Sequence, residues 1–238
     1  MYRAAIATLL GVGFLSSSAS AFDITGGSVA LEYSKFTESP LNDLDKTSLK
    51  GSVEIGFSPE FSVQADLGLS VFGFTNADGT NIALHGIYHV NDATSIGAYL
   101  GRDELSFGPF KDDVTYLGAE VGHQGNGLST EVYVGMITNS GINATTLGLG
   151  GSYAVTDRID LGAQFDSLRI DGDDVVRLGL TGDVAATDTI SIYGEVGRGW
   201  VQSVGSENYL SLGGRYTFGA KGKATFDQRG ILTALPGL

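Results

Sequence analysis

Alternating apolar and polar residues, in runs that end at short turn peptides, constrain this chain more than any other feature. Three of the turn peptides share one form: Val90-Asn91-Asp92, Val155-Thr156-Asp157 and Ala186-Thr187-Asp188. Asn and Asp favour tight turns because their side chains bond the nearby backbone, and a period of two places the apolar groups of a run on one face. A fourth turn, at residues 57–61, contains Pro59. The sequence therefore predicts a chain of β-hairpins.

Twelve strands are predicted by this pattern, and most have the length that a tilted β-strand needs to cross a bilayer. They are 28–36, 48–57, 61–73, 81–90, 94–102, 114–123, 128–137, 145–154, 158–168, 175–184, 189–198 and 208–218. Links after even-numbered strands are short, whereas links after odd-numbered strands, such as 37–47 and 103–113, are longer or more acidic. This alternation and the even strand count are typical of outer-membrane barrels. The predicted fold class is all-β, an antiparallel transmembrane β-barrel over residues 22–218, with short periplasmic turns and longer external loops.

The first residues have the pattern of a secretory signal peptide. Arg3 precedes an apolar run at 4–15, and Ala19-Ser20-Ala21 provides a cleavage site, so residues 1–21 are predicted to be removed on export. The chain has no Cys and therefore no disulfides, and no later apolar stretch reaches the length of a membrane helix. With 27 acidic and 14 basic residues, the chain is not expected to bind nucleic acid, because phosphate contacts need positive charge.

The two faces of the predicted strands differ in polarity. One face is uncharged and is expected to contact lipid, and aromatic residues near its turn ends form a predicted interfacial girdle: Phe57, Tyr88, Tyr153, Tyr216 and Phe218. The opposite face carries the predicted lumen-lining residues: Glu32, Lys50, Glu54, Asp66, His85, His89, Glu120, Glu131, Asp166, Arg177, Glu195 and Arg215. A soluble β-sandwich is the alternative, because its strands also have one apolar and one polar face. We favour the barrel, since sandwich strands are usually shorter and do not require links of alternating length.

The last predicted strand resembles the terminal β-signal of Gram-negative outer-membrane proteins. It reads polar-x-Gly-x-x-aromatic-x-aromatic, with these residues at the pattern positions: Ser211, Gly213, Tyr216 and Phe218. The phrase Tyr-x-Val-(Asn/Thr)-Asp occurs at 88–92 and 153–157. On these motifs the chain resembles a porin-like outer-membrane β-barrel over nearly all of residues 22–218. The resemblance implies a Gram-negative outer-membrane location, contact with membrane lipid and recognition by the barrel-assembly machinery.

The C-terminus departs from this resemblance. Such barrels usually end at the aromatic residue, whereas residues 219–238 follow Phe218 here. The segment begins basic and glycine-rich and then mixes apolar with charged residues. Two arrangements are open, a periplasmic tail and a plug that folds back into the lumen, and we favour the tail.

No catalytic, cofactor-binding or metal-binding motif is found. His85 and His89 share a strand face but are separated by about 13 Å at ~3.3 Å per residue, too far to bind one metal ion. Residues 171–174 contain three Asp side chains, but they lack the spacing of an EF-hand loop, so a solvated turn is favoured over a cation site. The sequence therefore predicts neither an enzyme, nor a cofactor, nor a metal.

The resemblance and the polar inner face together predict a porin-like channel for passive diffusion of small hydrophilic solutes. Basic residues on the predicted inner wall are Lys50, Arg177 and Arg215, against nine carboxylates: Glu32, Glu54, Asp66, Glu120, Glu131, Asp160, Asp166, Asp183 and Glu195. Acidic rings favour cations in pores, so a weak cation preference is expected. The alternative is a non-conducting structural or adhesive barrel that acts through acidic external loops. The identity of the solute and assembly into a homo-oligomer are left open.

Overall fold

The structure, a computed structural model, describes residues 22–38, 44–73, 77–139, 142–170, 173–202 and 205–234. Twelve antiparallel strands close into one barrel, in which consecutive strands pair and β12 pairs with β1. The strands are β1 (Asp23–Phe36), β2 (Asp45–Gly56), β3 (Phe61–Phe72), β4 (Ala77–His89), β5 (Thr94–Phe107), β6 (Phe110–Gly125), β7 (Leu128–Asn139), β8 (Ile142–Thr156), β9 (Ile159–Ile170), β10 (Asp173–Ala185), β11 (Ile190–Val201) and β12 (Gly205–Phe218). A short helical turn, α1 (Ile231–Ala234), follows them. The predicted signal peptide, 1–21, lies outside the described residues.

The closed barrel confirms the predicted fold class and excludes the β-sandwich. The two ends of the barrel are named here by their connections. The turn end carries the hairpin turns at 57–60 and 90–93, and the loop end is the opposite end, where β1 ends at Phe36 and β2 begins at Asp45. Because the strand number is even, Asp23 at the start of β1 and Phe218 at the finish of β12 both lie at the turn end.

Strands extend further toward the loop end than the sequence pattern predicts. The clearest case is 103–113, predicted as a link, where β5 and β6 continue to pair as far as Phe107 and Phe110. A cross-strand ion pair supports this extension, with Lys111 Nζ 2.7 Å from Glu104 Oε1. Polar cross-strand pairs stabilise a ladder that has already started, so pairing continues beyond the residues that alternate in hydrophobicity.

The hairpin turns are closed by side chains that accept hydrogen bonds from the backbone. Asn91 Oδ1 accepts from the N–H groups of Ala93 (2.9 Å) and Thr94 (2.8 Å). In other turns hydroxyl oxygens accept in the same way. Ser58 Oγ accepts from the Phe61 N–H (3.2 Å), and Thr187 Oγ1 accepts from the Ile190 N–H (3.0 Å). The sequence pattern indicates Asn, Asp and Pro as the residues that form these turns. The observed acceptors are the Asn, Thr or Ser side chains at the start of each turn, which satisfy backbone donors that the strands leave free.

The outer face of the barrel is apolar. In β4, Leu84 is 55% exposed whereas the adjacent Ala83 is 1% exposed, and this alternation repeats along the other strands. Four of the aromatic residues assigned to the girdle are exposed on this face near the turn end: Phe57, Tyr88, Tyr153 and Tyr216. The Phe218 ring lies 6.2 Å from that of Tyr216, centroid to centroid. Among the described residues, no helix has the length and apolarity needed to span a membrane.

Candidate functional site in the barrel interior

The described part of the C-terminus, residues 219–234, turns into the barrel interior and is called the C-terminal segment below. It first bonds β1 at the turn end, where the Lys221 N–H donates to Thr25 O (2.7 Å) and the Gly27 N–H donates to Gly222 O (2.8 Å). Further along, Phe226 and Arg229 are 2% and 5% exposed. The two arrangements considered for residues 219–238 are a periplasmic tail, which the sequence favours, and a plug in the lumen. The described residues of the segment lie in the lumen and not outside the barrel. Residues 235–238 lie outside the described residues.

Side chains of the barrel wall bind the backbone of the C-terminal segment. The Gln64 amide on β3 pairs with Phe226 in both directions, as donor to its carbonyl (2.8 Å) and as acceptor from its N–H (3.2 Å). On β4, Asn81 Nδ2 donates to the Arg229 carbonyl at 2.7 Å. On β2, Glu54 Oε2 accepts from the Thr225 N–H at 2.8 Å. These bonds satisfy backbone groups that have no partner within the segment itself, which fixes its path along the wall.

Phe226 occupies a space that a glycine provides. An ideal Cβ placed on Gly97 of β5 would lie 2.7 Å from the Phe226 ring, closer than van der Waals contact allows. The ring also stacks on His85, with ring centroids 6.4 Å apart and an interplanar angle of 17°. The aromatic ring therefore fits a matched recess in the wall of β4 and β5.

Arg229 binds two carboxylates of the wall. Its guanidinium lies 2.9 Å from Glu120 Oε2 on β6 and also contacts Glu131 on β7. The guanidinium carbon lies 4.2 Å from the centroid of the Tyr133 ring, within the range of a cation–π interaction. Burial opposes the charge on Arg229, but Glu131 and Glu120 outweigh burial and raise the pKa of the guanidinium above its ordinary value.

His85 continues this ionic network toward β3. Its Nδ1 lies 2.6 Å from Glu120 Oε1 and its Nε2 lies 2.9 Å from Asp66 Oδ2. A neutral imidazole donates from one nitrogen only, so the ring satisfies both carboxylates when both of its nitrogens carry protons. The network thus links Asp66, His85 and Glu120 to Arg229 of the C-terminal segment.

Three wall side chains hold α1 near the loop end, and we call them the outer clamp: Lys46, Asp103 and Arg177. Asp103 Oδ2 on β5 accepts from the Leu232 N–H at 3.0 Å. Lys46 Nζ on β2 donates to the Leu232 carbonyl at 2.8 Å. Arg177 Nη1 on β10 donates to the Ala234 carbonyl at 3.1 Å. The carboxylate lies at the amino end of the turn and the two cations at its carbonyl end, the arrangement that the helix dipole favours.

A polar cavity of about 500 Å³ separates the C-terminal segment from the wall of β8–β12. It reaches from Gln124 and Thr217 near the turn end to Ser34 and Lys46 near the loop end. Its far wall includes small inward-facing residues: Gly150, Ser152, Thr181 and Ser191. No large side chain reaches across from these positions, so space remains on this side of the segment.

Ion pairs account for most of the charges around the cavity. Lys50 Nζ lies 2.9 Å from Glu32 Oε1, and Arg215 Nη1 lies 3.1 Å from Asp183 Oδ2. Arg177 pairs with Glu195 at 2.5 Å and lies 3.5 Å from Asp166. Seven acidic and six basic side chains line the cavity in all: Glu32, Glu131, Asp160, Asp166, Asp183, Glu195 and Asp227 against Lys46, Lys50, Arg177, Arg215, Lys223 and Arg229.

The residues predicted to line the lumen fall into two groups in the structure. Those that face the C-terminal segment or the buried network are Glu54, Asp66, His85 and Glu120. Those that line the cavity are Glu32, Lys50, Glu131, Asp166, Arg177, Glu195 and Arg215. His89 lies near the turn end, where its two ring nitrogens contact Ser62 Oγ (3.0 Å) and Ser95 Oγ (2.8 Å).

Sequence reasoning missed several residues of the interior. Lys46 was placed in a link, although it has the same parity along β2 as Lys50, and Asn81 likewise has the parity of His85. Extending the alternation by one or two residues past each predicted strand would have found Lys46 and Asp103. Arg229 carries no such signal, because its segment has no alternation. Among the described residues no cluster suited to a metal ion is present, and Asp174 instead pairs with Arg169 at 2.7 Å.

The residues assigned to the assembly signal lie on both faces of β12. Ser211 is buried, and Tyr216 is exposed on the outer face. An ideal Cβ on Gly213 would lie 2.5 Å from the Tyr193 ring, so this glycine admits an inward-facing aromatic side chain of β11. Phe218 pairs with Gly27 of β1, so the assembly-signal residues lie in the strand pair that closes the barrel.

Known structures share this architecture. No family model and no curated protein sequence matches the chain. The NanC porin superposes with a TM-score of 0.61 at 9% identity, over 79% of this chain and 98% of that one. The KdgM porin gives 0.60 at 16% identity, over 80% and 99%, and an outer-membrane channel from Pseudomonas putida F1 gives 0.58 at 15% identity, over 87% and 100%. At these identities the likeness is one of fold, and it confirms the predicted resemblance to porin-like outer-membrane barrels.

Proposed function

We propose that this protein is a porin-like channel of a Gram-negative outer membrane, through which small hydrophilic solutes diffuse. The observation that carries the proposal is the polar cavity of about 500 Å³ beside the C-terminal segment, inside a closed barrel with an apolar outer face. Barrels of this kind hydrate a path along a polar inner wall. The similar structures are named as porins and channels, which supports the same class of function, and we propose no catalytic role.

Export and membrane insertion complete the proposal. Residues 1–21 act as the cleaved signal, and the barrel-assembly machinery reads the end of β12. The apolar outer face would contact acyl chains, with the aromatic residues at the turn end near the headgroups on the periplasmic side.

The cavity supports a weak cation preference. Its lining has only one more acidic than basic side chain, a smaller excess than the inner wall of the barrel alone suggests. The difference arises because Lys46, Lys223, Arg229 and Asp227 also line the cavity, whereas Glu54, Asp66 and Glu120 do not. Negative charge in a pore favours cations, so the expected selectivity is slight.

Planar-bilayer recording of the purified protein tests both statements. We expect a small conductance and, across a KCl gradient, a reversal potential that shows a modest cation preference. A clear anion preference would contradict the selectivity. If neither the full chain nor a chain without residues 219–238 conducts, the channel function is wrong.

The second candidate is a non-conducting structural or adhesive barrel. The C-terminal segment favours it, because it fills the interior along β3–β6 with buried residues such as Phe226 and Arg229. This candidate predicts no conductance from the full chain together with adhesion that is lost when exposed acidic residues at the loop end, such as Asp112 and Asp173, are replaced.

A further inference from the structure

We propose that the C-terminal segment is a releasable plug, and that the outer clamp determines whether the loop end of the cavity is closed. The proposal rests on the channel function proposed above and adds its regulation. The observation that supports it is the position of α1, which is hydrogen-bonded to strands on opposite sides of the barrel.

The outer clamp joins three distant strands. Lys46 belongs to β2, Asp103 to β5 and Arg177 to β10. In a ring of twelve strands β5 and β10 are five strands apart, so they lie almost opposite each other. A helical turn held by both strands crosses the lumen. Residues 231–234 therefore obstruct the loop end of the path that the cavity provides.

The turn depends on the clamp for its conformation. It has four residues, and a helix so short is not stable alone in water. Gly230, directly before it, has a φ of 131°, which other residues rarely adopt. An ideal Cβ there would lie 2.6 Å from Asp103 Oδ1. The turn thus forms against Asp103, and loss of that carboxylate removes the acceptor for its Leu232 N–H.

The ring of twelve strands closes before the segment begins, and residues 220–222 of the segment then add backbone hydrogen bonds to the first residues of β1. Pairing between β1 and β12 extends to Phe218, so the sheet closes before residue 219. The connection then passes through Gly219 and Gly222, with φ angles of 90° and 78°. A chain cut after Phe218 would also end at the aromatic residue of the predicted assembly signal. The segment is therefore a separate element attached by a glycine-containing connection, which permits it to leave the lumen through the turn end.

Cysteine labelling measures release without relying on conductance. The chain contains no Cys, so Ala234→Cys introduces a single thiol. Ala234 is partly buried and lies against wall residues such as Leu168 and Val175, so a Cys there is expected to react more slowly with a membrane-impermeant maleimide while the segment is docked than when it is released. Adding Asp103→Ala should speed labelling by about thirtyfold, because a hydrogen bond to a charged group is worth ~2 kcal/mol. The control is Asp183→Ala, which removes a wall carboxylate that pairs with Arg215 rather than with the segment.

Conductance then tests whether release opens the pore. We expect the Asp103→Ala barrel to be open for a larger fraction of time than the full chain, and a barrel lacking residues 219–238 to be open continuously. A synthetic peptide of residues 219–238 added from the turn end should reduce that current. Heat-modifiable gel migration checks that each variant forms a closed barrel.

The outcomes separate the two proposals. Unchanged labelling in Asp103→Ala overturns the clamp, and equal conductance with and without residues 219–238 overturns the plug while the channel function stands. If labelling is faster in Asp103→Ala but none of the variants conducts, release of the segment is supported and the channel function is overturned. Faster labelling together with longer opening supports both.

Discussion

Two sides of the same barrel differ in what their inner faces bind. The filled wall, β3–β6, presents large hydrogen-bonding side chains such as Gln64, Asn81 and Glu120, and the C-terminal segment packs against it. The open wall, β8–β12, borders the cavity and combines small inward residues such as Gly150 and Thr181 with ion-paired side chains such as Arg215, which bonds Asp183 of the same wall. Both walls have the same alternation and the same apolar exterior. The difference therefore lies in the size and the bonding capacity of the inward residues, and it decides which half of the lumen is occupied.

Removing Arg229 should have the largest effect on the filled wall. In Arg229→Ala, Glu120 and Glu131 keep their charges but lose their cation, and breaking a buried ion pair in this way costs about 4 kcal/mol. We expect the segment to undock, with Ala234→Cys labelled at the rate of a free thiol. The measurement is the labelling rate relative to the otherwise unaltered chain.

A neutral replacement tests whether charge is the cause. In a triple variant, Arg229→Met with Glu120→Gln and Glu131→Gln, no buried charge is left unpaired at this position, so much of the protection should return. If the triple variant labels as fast as Arg229→Ala, the geometry of the guanidinium rather than its charge holds the segment.

The sequence determines the barrel more completely than its contents. Alternation is a local property, and it predicted all twelve strands and the inward side of residues such as Glu54 and Arg177. Docking of the C-terminal segment depends on contacts between residues far apart in the chain, for example Phe226 with Gln64. Nothing in residues 219–238 repeats a period, so their path could not be read from the pattern. The charge balance of the cavity could not be read from the pattern either, because Lys223, Asp227 and Arg229 come from this segment.

Two glycine substitutions should separate the walls, with an intermediate effect. Gly97→Leu on the filled wall places a side chain where the Phe226 ring lies, and overpacking of this kind costs about 2 kcal/mol. An ideal Cβ on Gly150 of the open wall meets no atom within 4 Å, so Gly150→Leu extends into the cavity without a clash. We expect Gly97→Leu to speed Ala234→Cys labelling by at least about tenfold, and Gly150→Leu to lower the conductance while labelling stays unchanged.

Two results from this pair of variants would contradict the expected difference between the walls. If Gly150→Leu accelerates labelling as much as Gly97→Leu does, the segment contacts both walls equally and the distinction between a filled and an open wall fails. If Gly150→Leu leaves the conductance unchanged, solutes do not pass beside β8.

Arg215→Ala on the open wall should have the smallest effect on stability. Its side chain and that of Asp183 are 31% and 25% exposed, and solvent-exposed ion pairs are worth about 0.5 kcal/mol. Segment docking should change little, because Arg215 forms its ion pair with Asp183 and not with the segment, on which it acts through the charge of Asp227. The substitution removes one positive charge from the cavity lining, so the reversal potential across a KCl gradient should move toward stronger cation preference. Asp183→Asn, the matched control, removes the opposing negative charge and should move the reversal potential the other way. An unchanged reversal potential in Arg215→Ala would mean that the current does not follow the open wall, because only a path remote from Arg215 is insensitive to the loss of its charge.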